Sequence, residues 1–326
     1  MVLTKKRVAL VTVVLTVVFF VMLFFLPEHI VGTRRDNMLL FAPKLLFLAI
    51  TAAIVAVFFL IFIFKRSFLS GQLSTFNRYK YLLALIVKRN FVARYRKSVL
   101  GVLWSLLNPL LTMLVMSMVF SVLFNREIRY FPAYLLSGLI LYNFFTDSTT
   151  MAMNSIIESE GIIKKIYVPK YVFPLARVIS SLVNLLFSFV AFLLVFAVTG
   201  VPFKWTMLLL PVPMIYTFVF ALGIAMLMSS MAVFFRDLTY LYGVFLTLCF
   251  YLTPIIYPVD VVPEWAMPYY GLNPLFHFIN YFRNLALDGI VPDLWSNMVC
   301  IGFALASLCL GIYVFMTKQD RYILYL

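Results

Sequence analysis

Charge is scarce in this chain. Asp, Glu, Lys and Arg make up 12% of its 326 residues, while hydrophobic residues make up 64%. Soluble domains carry about a quarter charged residues. So little polar surface cannot wrap so much apolar volume, which excludes a soluble fold and implies several membrane spans. Cysteine is nearly missing as well. Cys249, Cys300 and Cys309 all sit inside apolar runs, which excludes a disulfide framework or a paired-cysteine metal site and leaves them as small buried hydrophobes. The two histidines, His29 and His277, lie far apart and near no cysteine cluster, so no metal site is expected. No G-x-x-x-x-G-K-[ST] occurs, nor G-x-S-x-G, nor H-E-x-x-H. These absences remove the phosphate-cradling loop, the serine nucleophile elbow and the helical zinc pair.

Acidic residues are also few, 12 against 26 Lys and Arg, for a net charge of +14. In a soluble protein that excess would suggest nucleic acid. Here the basic residues gather in one set of loops, so membrane topology accounts for them and no nucleic-acid partner is expected. What is abundant is long apolar runs of about 18–27 residues. A helix rising ~1.5 Å per residue needs about 20 residues to cross ~30 Å of hydrocarbon. The ten-residue alternation of an outer-membrane barrel is missing.

The stretch Arg78–Pro109, RYKYLLALIVKRNFVARYRKSVLGVLWSLLNP, organises the rest. From Lys65 to Lys97 the chain holds nine Lys and Arg and no Asp or Glu. Such a block before a span marks the cytoplasmic side. It predicts a helix at the inner membrane surface that turns into a spanning helix near Ser98–Gly101. On a helical wheel Leu83, Ile86, Val87 and Phe91 share one side and Lys88, Arg89 and Arg96 lie roughly opposite. Leu85 and Val92 intrude on the basic side, Arg94 and Lys97 on the apolar one, a mixture suited to a helix touching both lipid and protein.

Eight spans are expected: Val8–Leu26, Leu45–Phe64, Val99–Phe124, Pro132–Asn154, Leu175–Thr199, Trp205–Ala232, Leu238–Leu252 and Trp295–Met316. Lys5-Lys6-Arg7 and the run behind it resemble a signal peptide, but the run is too long for one and no A-x-A-like site follows, so it reads as a retained span. The polar stretch Ser67–Asn77 reads as a linker. It divides the chain into a two-helix appendage (residues 1–70), an interface helix (71–98) and a transmembrane domain (99–326). Thr253–Gly289 holds five prolines and many aromatics, too broken for one straight span. It predicts two short re-entrant helices, Pro263–Tyr270 and Pro274–Leu287, on the outer side, buried in protein or lining a cavity. With eight spans both termini are cytoplasmic, and the Lys and Arg fall mostly on that side. Few ionisable residues lie within spans, and Asp147 is the clearest, either functional or a helix-packing hydrogen-bonder.

Four stretches, RYRKSVLGVLWSLLNP, KKIYVPKYVFP, FFRDL, and YLTPIIYP followed by NPL and FR, resemble in content and order the ABC-2-type permeases that export lipid-linked polysaccharides such as O-antigen, capsule and teichoic acid. The resemblance covers about Phe76 to Leu326. That family has six spans, so the first hairpin departs from it. The resemblance implies an all-α polytopic membrane protein of the bacterial inner membrane, with a six-helix core, an amphipathic interface helix and outer re-entrant helices. It implies a homodimer working with two separate ATPase subunits, which bind the ATP and Mg and leave this chain without a cofactor or a catalytic residue of its own. It implies that Glu158, Ile162, Ile163, Lys164, Lys165 and Tyr167 belong to a coupling helix seated on the ATPase, with Arg236 and Asp237 in the second inner loop. Positive-inside charge alone also accounts for the lysines, and a local ion pair for Arg236-Asp237.

Arg94, Tyr95, Arg96 and Lys97 fall in the interface helix, where the basic residues are candidates to meet membrane lipid or the undecaprenyl pyrophosphate of a lipid-linked glycan, because Arg binds phosphate bidentately. Trp104, Tyr134, Tyr142, Phe250, Tyr251 and Tyr257 are candidate pore aromatics for stacking on sugar faces, against the plainer role of core packing. Two other readings stand beside polysaccharide export. One is an ABC-2 exporter of a drug or small lipid. The other is a membrane-embedded glycosyltransferase, for which Asp260, Glu264, Asp288 and Asp293 are available but ungrouped.

Overall fold

The computed structural model describes residues 66–325 except 97, 125–127, 129 and 167. The expected first hairpin, with spans expected at Val8–Leu26 and Leu45–Phe64, lies outside the described residues, as do Lys97 and Tyr167. The described residues form helices and turns with no strand.

Helix α1, Arg66–Tyr95, runs unbroken through Ser67–Asn77. This corrects the linker expected there. The stretch is polar but holds one glycine and no proline, so nothing forces the backbone out of the helix. Its buried positions include Leu83, Ile86 and Asn90, while Leu85 and Val92 are exposed, as the wheel suggests. The chain breaks after α1, with Gly101 at φ +50° and its N–H donating to Ser98 Oγ at 3.2 Å. A 3-10 turn, Gly101–Leu103, then leads into α2, Trp104–Phe124, with Pro109 tolerated near its start. Helices α1 and α2 are therefore separate elements, with the break at Ser98–Gly101 where a change of element is expected.

Helix α3, Phe131–Met153, is followed by two four-residue helices, α4 (Ser155–Glu158) and α5 (Glu160–Ile163), then α6, Val172–Val198. Helices α7, Pro211–Phe234, and α8, Leu238–Leu252, complete the run to the proline-rich segment. There the chain makes two 3-10 turns, the short α9 (Met267–Tyr270), α10 (Pro274–Arg283) and a π-helical turn, Asn284–Asp288. Helix α11, Leu294–Lys318, and the four-residue α12, Tyr322–Tyr325, end the fold.

Among the described residues four helical stretches are long and apolar enough to cross a membrane: Gly101–Phe120, Val172–Val198, Trp205–Phe234 and Leu294–Tyr325. With these the chain is a multi-pass membrane protein. Helix α3 is 23 residues long, but its Ser, Thr, Asn and Asp leave it less apolar than these four. It sits at the centre, packed on α2, α6 and α7, so protein rather than lipid covers most of it. Helix α8 has 15 residues, about 22 Å at ~1.5 Å per residue.

Two clusters hold the helices. The larger joins Leu135, Leu139 and Phe145 of α3 to Phe192 and Phe196 of α6, Phe220 of α7 and Phe278 and Phe282 of α10. The smaller lies at the end carrying the basic loops. It joins Leu83 and Ile86, Ile156 and Ile163, Val168, Val172 and Phe173, Val233, Phe315 and Tyr322. Helices α7 and α11 cross at glycines: a Cβ on Gly223 would stand 2.2 Å from the Ser307 carbonyl carbon, and one on Gly311 2.0 Å from the Gly223 oxygen. Small residues let helix backbones approach this closely where no hydrophobic effect drives them together.

Candidate functional site

At the basic end, α4 and α5 form a compact double turn. Ile163 is buried and Ile162 half-buried in the smaller cluster, whereas Glu158, Lys164 and Lys165 point outward and are exposed. Lys164 pairs with Glu160 at 2.6 Å, one helical turn away, and Glu158 pairs with Arg177 of α6. The isoleucines thus anchor the turn and the charged residues form its free surface. Arg236 and Asp237 are exposed in the turn between α7 and α8. No ion pair joins them among the described residues, so the turn is closed by backbone hydrogen bonds such as Tyr240 N to Asp237 O, 3.1 Å.

The last residues of the chain fold back onto this end, which the sequence did not signal. Tyr322 is fully buried. Its ring meets Phe315 at 5.5 Å and Phe234 at 5.9 Å, and the Lys170 ammonium lies 5.6 Å from its centre. Lys170 also donates to the carbonyl of Gln319. Burial pushes the Lys170 ammonium below its ordinary pKa, and Asp320 opposes the shift. The tail therefore ties the segment after α5 to the end of α7.

Of the interface-helix residues, Arg94 does not stand free. Its Nη2 donates to Asp147 Oδ2 at 3.0 Å, both side chains being about 40% exposed. Any phosphate reaching Arg94 must compete with this carboxylate. Tyr95 donates to Asn184 Oδ1 at 2.9 Å and also meets Ser105 Oγ, joining α1 to α6 and α2. Arg96 is exposed.

The six aromatics separate. Trp104 is exposed at the start of α2. Tyr142, Phe250 and Tyr251 form a row with ring centres 5.2 and 5.4 Å apart. Tyr142 is buried and its hydroxyl donates to the Leu246 carbonyl, so it packs α3 on α8. Tyr251 is 65% exposed. Tyr134 and Tyr257 meet at the opposite end of the molecule, where Tyr134 donates to the Tyr257 carbonyl at 3.0 Å and the Tyr257 and Tyr270 hydroxyls lie 3.0 Å apart.

That second group centres on Arg283, the arginine of the FR pair, whose partners the sequence does not show. It is 4% exposed. Its guanidinium donates to the Tyr134 hydroxyl (2.8 Å) and to the carbonyls of Pro254 (2.6 Å) and Ile255 (2.9 Å), with a longer contact to Ser137 Oγ (3.3 Å). It also lies 3.5 Å from the centre of the Tyr134 ring. At the far end of the segment Lys204 donates to the carbonyls of Leu287 (2.9 Å) and Asp288 (2.7 Å). Two cations thus hold the proline-rich segment onto the helices. Among the described residues no group of His, Cys, Asp and Glu is arranged to hold a metal ion.

The chain has relatives along most of its length. It is 32% identical over 240 residues to the O-antigen export system permease protein RfbA of Klebsiella pneumoniae, covering 71% of this chain and 90% of that one. It is 28% identical over 247 residues to the protein of the same name from Myxococcus xanthus, covering 75% and 95%. The polysialic acid transport protein KpsM of Escherichia coli is 22% identical over 250 residues, 76% of this chain and 97% of that one. Residues 81–287, from within α1 to the π-helical turn beyond Arg283, match the ABC-2 type transporter family, and the chain belongs to that family.

Proposed function

We propose that this chain is the membrane subunit of an ATP-binding-cassette exporter that carries a lipid-linked polysaccharide across the bacterial inner membrane. The observation that carries the reading is the likeness to permeases named for O-antigen export along 90% and 95% of their length. In this reading two copies enclose the path and two separate ATPase subunits supply the work. The basic end faces the cytoplasm with both termini, following the positive-inside rule, and the chain spans eight times. The segment from Thr253 to Asp288 caps the path on the outer side as re-entrant helices.

The mechanism is mechanical. No bond in the cargo is made or broken, so no catalytic side chain is required. An ATPase presses on the exposed surface of Lys164, Lys165, Arg236 and Asp237. Behind that surface the smaller cluster joins α1, α5, α7 and α11, so a push on one short helix reaches several elements as a rigid-body displacement.

Removing the gene and restoring it on a plasmid tests the reading. Its loss is expected to strip polysaccharide from the cell surface and leave lipid-linked glycan on the cytoplasmic leaflet. Unchanged surface glycan, or nucleotide hydrolysis by the purified chain alone, would overturn it.

A further inference from the structure

A strip of α3 changes character half-way along. Residues spaced three and four apart share a helix face, and this face runs from Leu136 through Leu139, Ile140, Asn143, Asp147 and Thr150 to Asn154. Leu136, Leu139 and Ile140 are at most 1% exposed. Asn143 is exposed, and Asp147, Thr150 and Asn154 are half-buried. The open half points toward the basic end, and the closed half toward the proline-rich segment.

Asn143 is near the middle of a 23-residue helix, so it stands near mid-depth of a bilayer. A carboxamide facing hydrocarbon there has no partner for its donors and acceptors, which costs several kcal/mol. An exposed polar strip at that depth therefore faces water, a polar ligand or protein. The charge on it is already balanced, because Asp147 holds Arg94 at 3.0 Å.

We infer that this half-strip lines an aqueous vestibule open at the basic end and closed at Leu139 and Ile140, and that it receives an uncharged, polyhydroxylated stretch of saccharide. The exposed amide of Asn143 and the half-exposed carboxylate of Asp147, one turn apart, offer both donors and acceptors to sugar hydroxyls, whereas the Thr150 hydroxyl is buried. A phosphate is the poorer fit, since it must displace the Asp147 carboxylate from Arg94 and then lie beside its negative charge. The identity of the ligand rests on the export reading, whereas the vestibule does not.

Two arms test this in the full chain expressed with its ATPase. In the first, Cys249, Cys300 and Cys309 are replaced by Ala, and Asn143→Cys and Ile140→Cys are introduced separately. Inside-out membrane vesicles are then treated with a membrane-impermeant maleimide. Thiol modification follows exposure to water, so Asn143→Cys is expected to label about tenfold faster than Ile140→Cys. Equal labelling overturns the vestibule. So does a disulfide between two copies at residue 143 without labelling, since the strip is then a protein contact. In the second arm, Asn143→Leu and Asp147→Asn are compared with the parent chain for surface glycan at matched membrane levels. Both variants are expected to reduce export. A rise in export by Asp147→Asn overturns the saccharide assignment in favour of an anion at Arg94, and unchanged export in Asn143→Leu overturns it outright. Absence of export from the parent chain would instead count against the transport reading and leave the labelling result standing.

Discussion

Arg283 concentrates more hydrogen bonds than any position considered for the site. Its planar fork reaches a hydroxyl and two carbonyls at once. Lysine has the charge but not the fork. Arg283→Lys is therefore expected to leave buried carbonyls without donors and to destabilise the folded protein by about 3 kcal/mol. Thermal unfolding of the purified protein in detergent measures this, and an unshifted midpoint would contradict it. The aromatics divide by the same reasoning. Tyr142→Phe deletes a buried hydroxyl that donates to Leu246, so it should cost about 1 kcal/mol of stability and leave export intact. Tyr251→Ala, at an exposed ring, should leave stability alone. An export defect in Tyr142→Phe without a loss of stability would return that ring to the cargo path.

At the scale of elements, the crossing of α7 and α11 and the folded-back tail make different demands. A methyl on Gly223 meets backbone atoms of α11 at 2.2 and 2.3 Å, which cannot rotate away as a side chain can. Gly223→Ala should separate the two helices at a cost of about 1–3 kcal/mol, read as lost thermal stability. Tyr322 packs between Phe234, Phe315 and Lys170 on the connection from the α4–α5 turn to the rest of the fold. Tyr322→Ala is expected to weaken export relative to ATP hydrolysis in the assembled complex, and Tyr322→Phe to restore it because the ring carries the contact. Parallel loss of both activities would mean the ring only stabilises the fold. Much of this layer was legible. Proline spacing anticipated α9 and α10, and the basic-to-apolar change marked the break between α1 and α2. The linker was misread because polarity alone does not end a helix without proline or clustered glycine. Partners far apart in sequence were invisible: nothing near Arg283 names Tyr134 or Pro254, and nothing near Tyr322 names Lys170.

At the scale of the whole molecule, most residues of the described helices that can span a membrane are not fully buried by the rest of the chain. No more than 39% of any such window is buried within the chain. In water that surface would drive aggregation. In a bilayer it is ordinary lipid-facing area, and it also leaves room for a second copy. The family match begins at residue 81, so residues 1–80 lie outside the matched region. A chain lacking residues 1–60 is expected to assemble with its ATPase and remain monodisperse in size-exclusion chromatography. Failure to insert would make these residues part of the core.

Both cations that fasten the proline-rich segment, Arg283 and Lys204, grip main-chain oxygens rather than acidic side chains. Every residue type presents such an oxygen. The residues that supply these oxygens can therefore drift without releasing either clasp, so under the proposed export function a lineage could retailor this segment to a new sugar repertoire while its hardware stays in place.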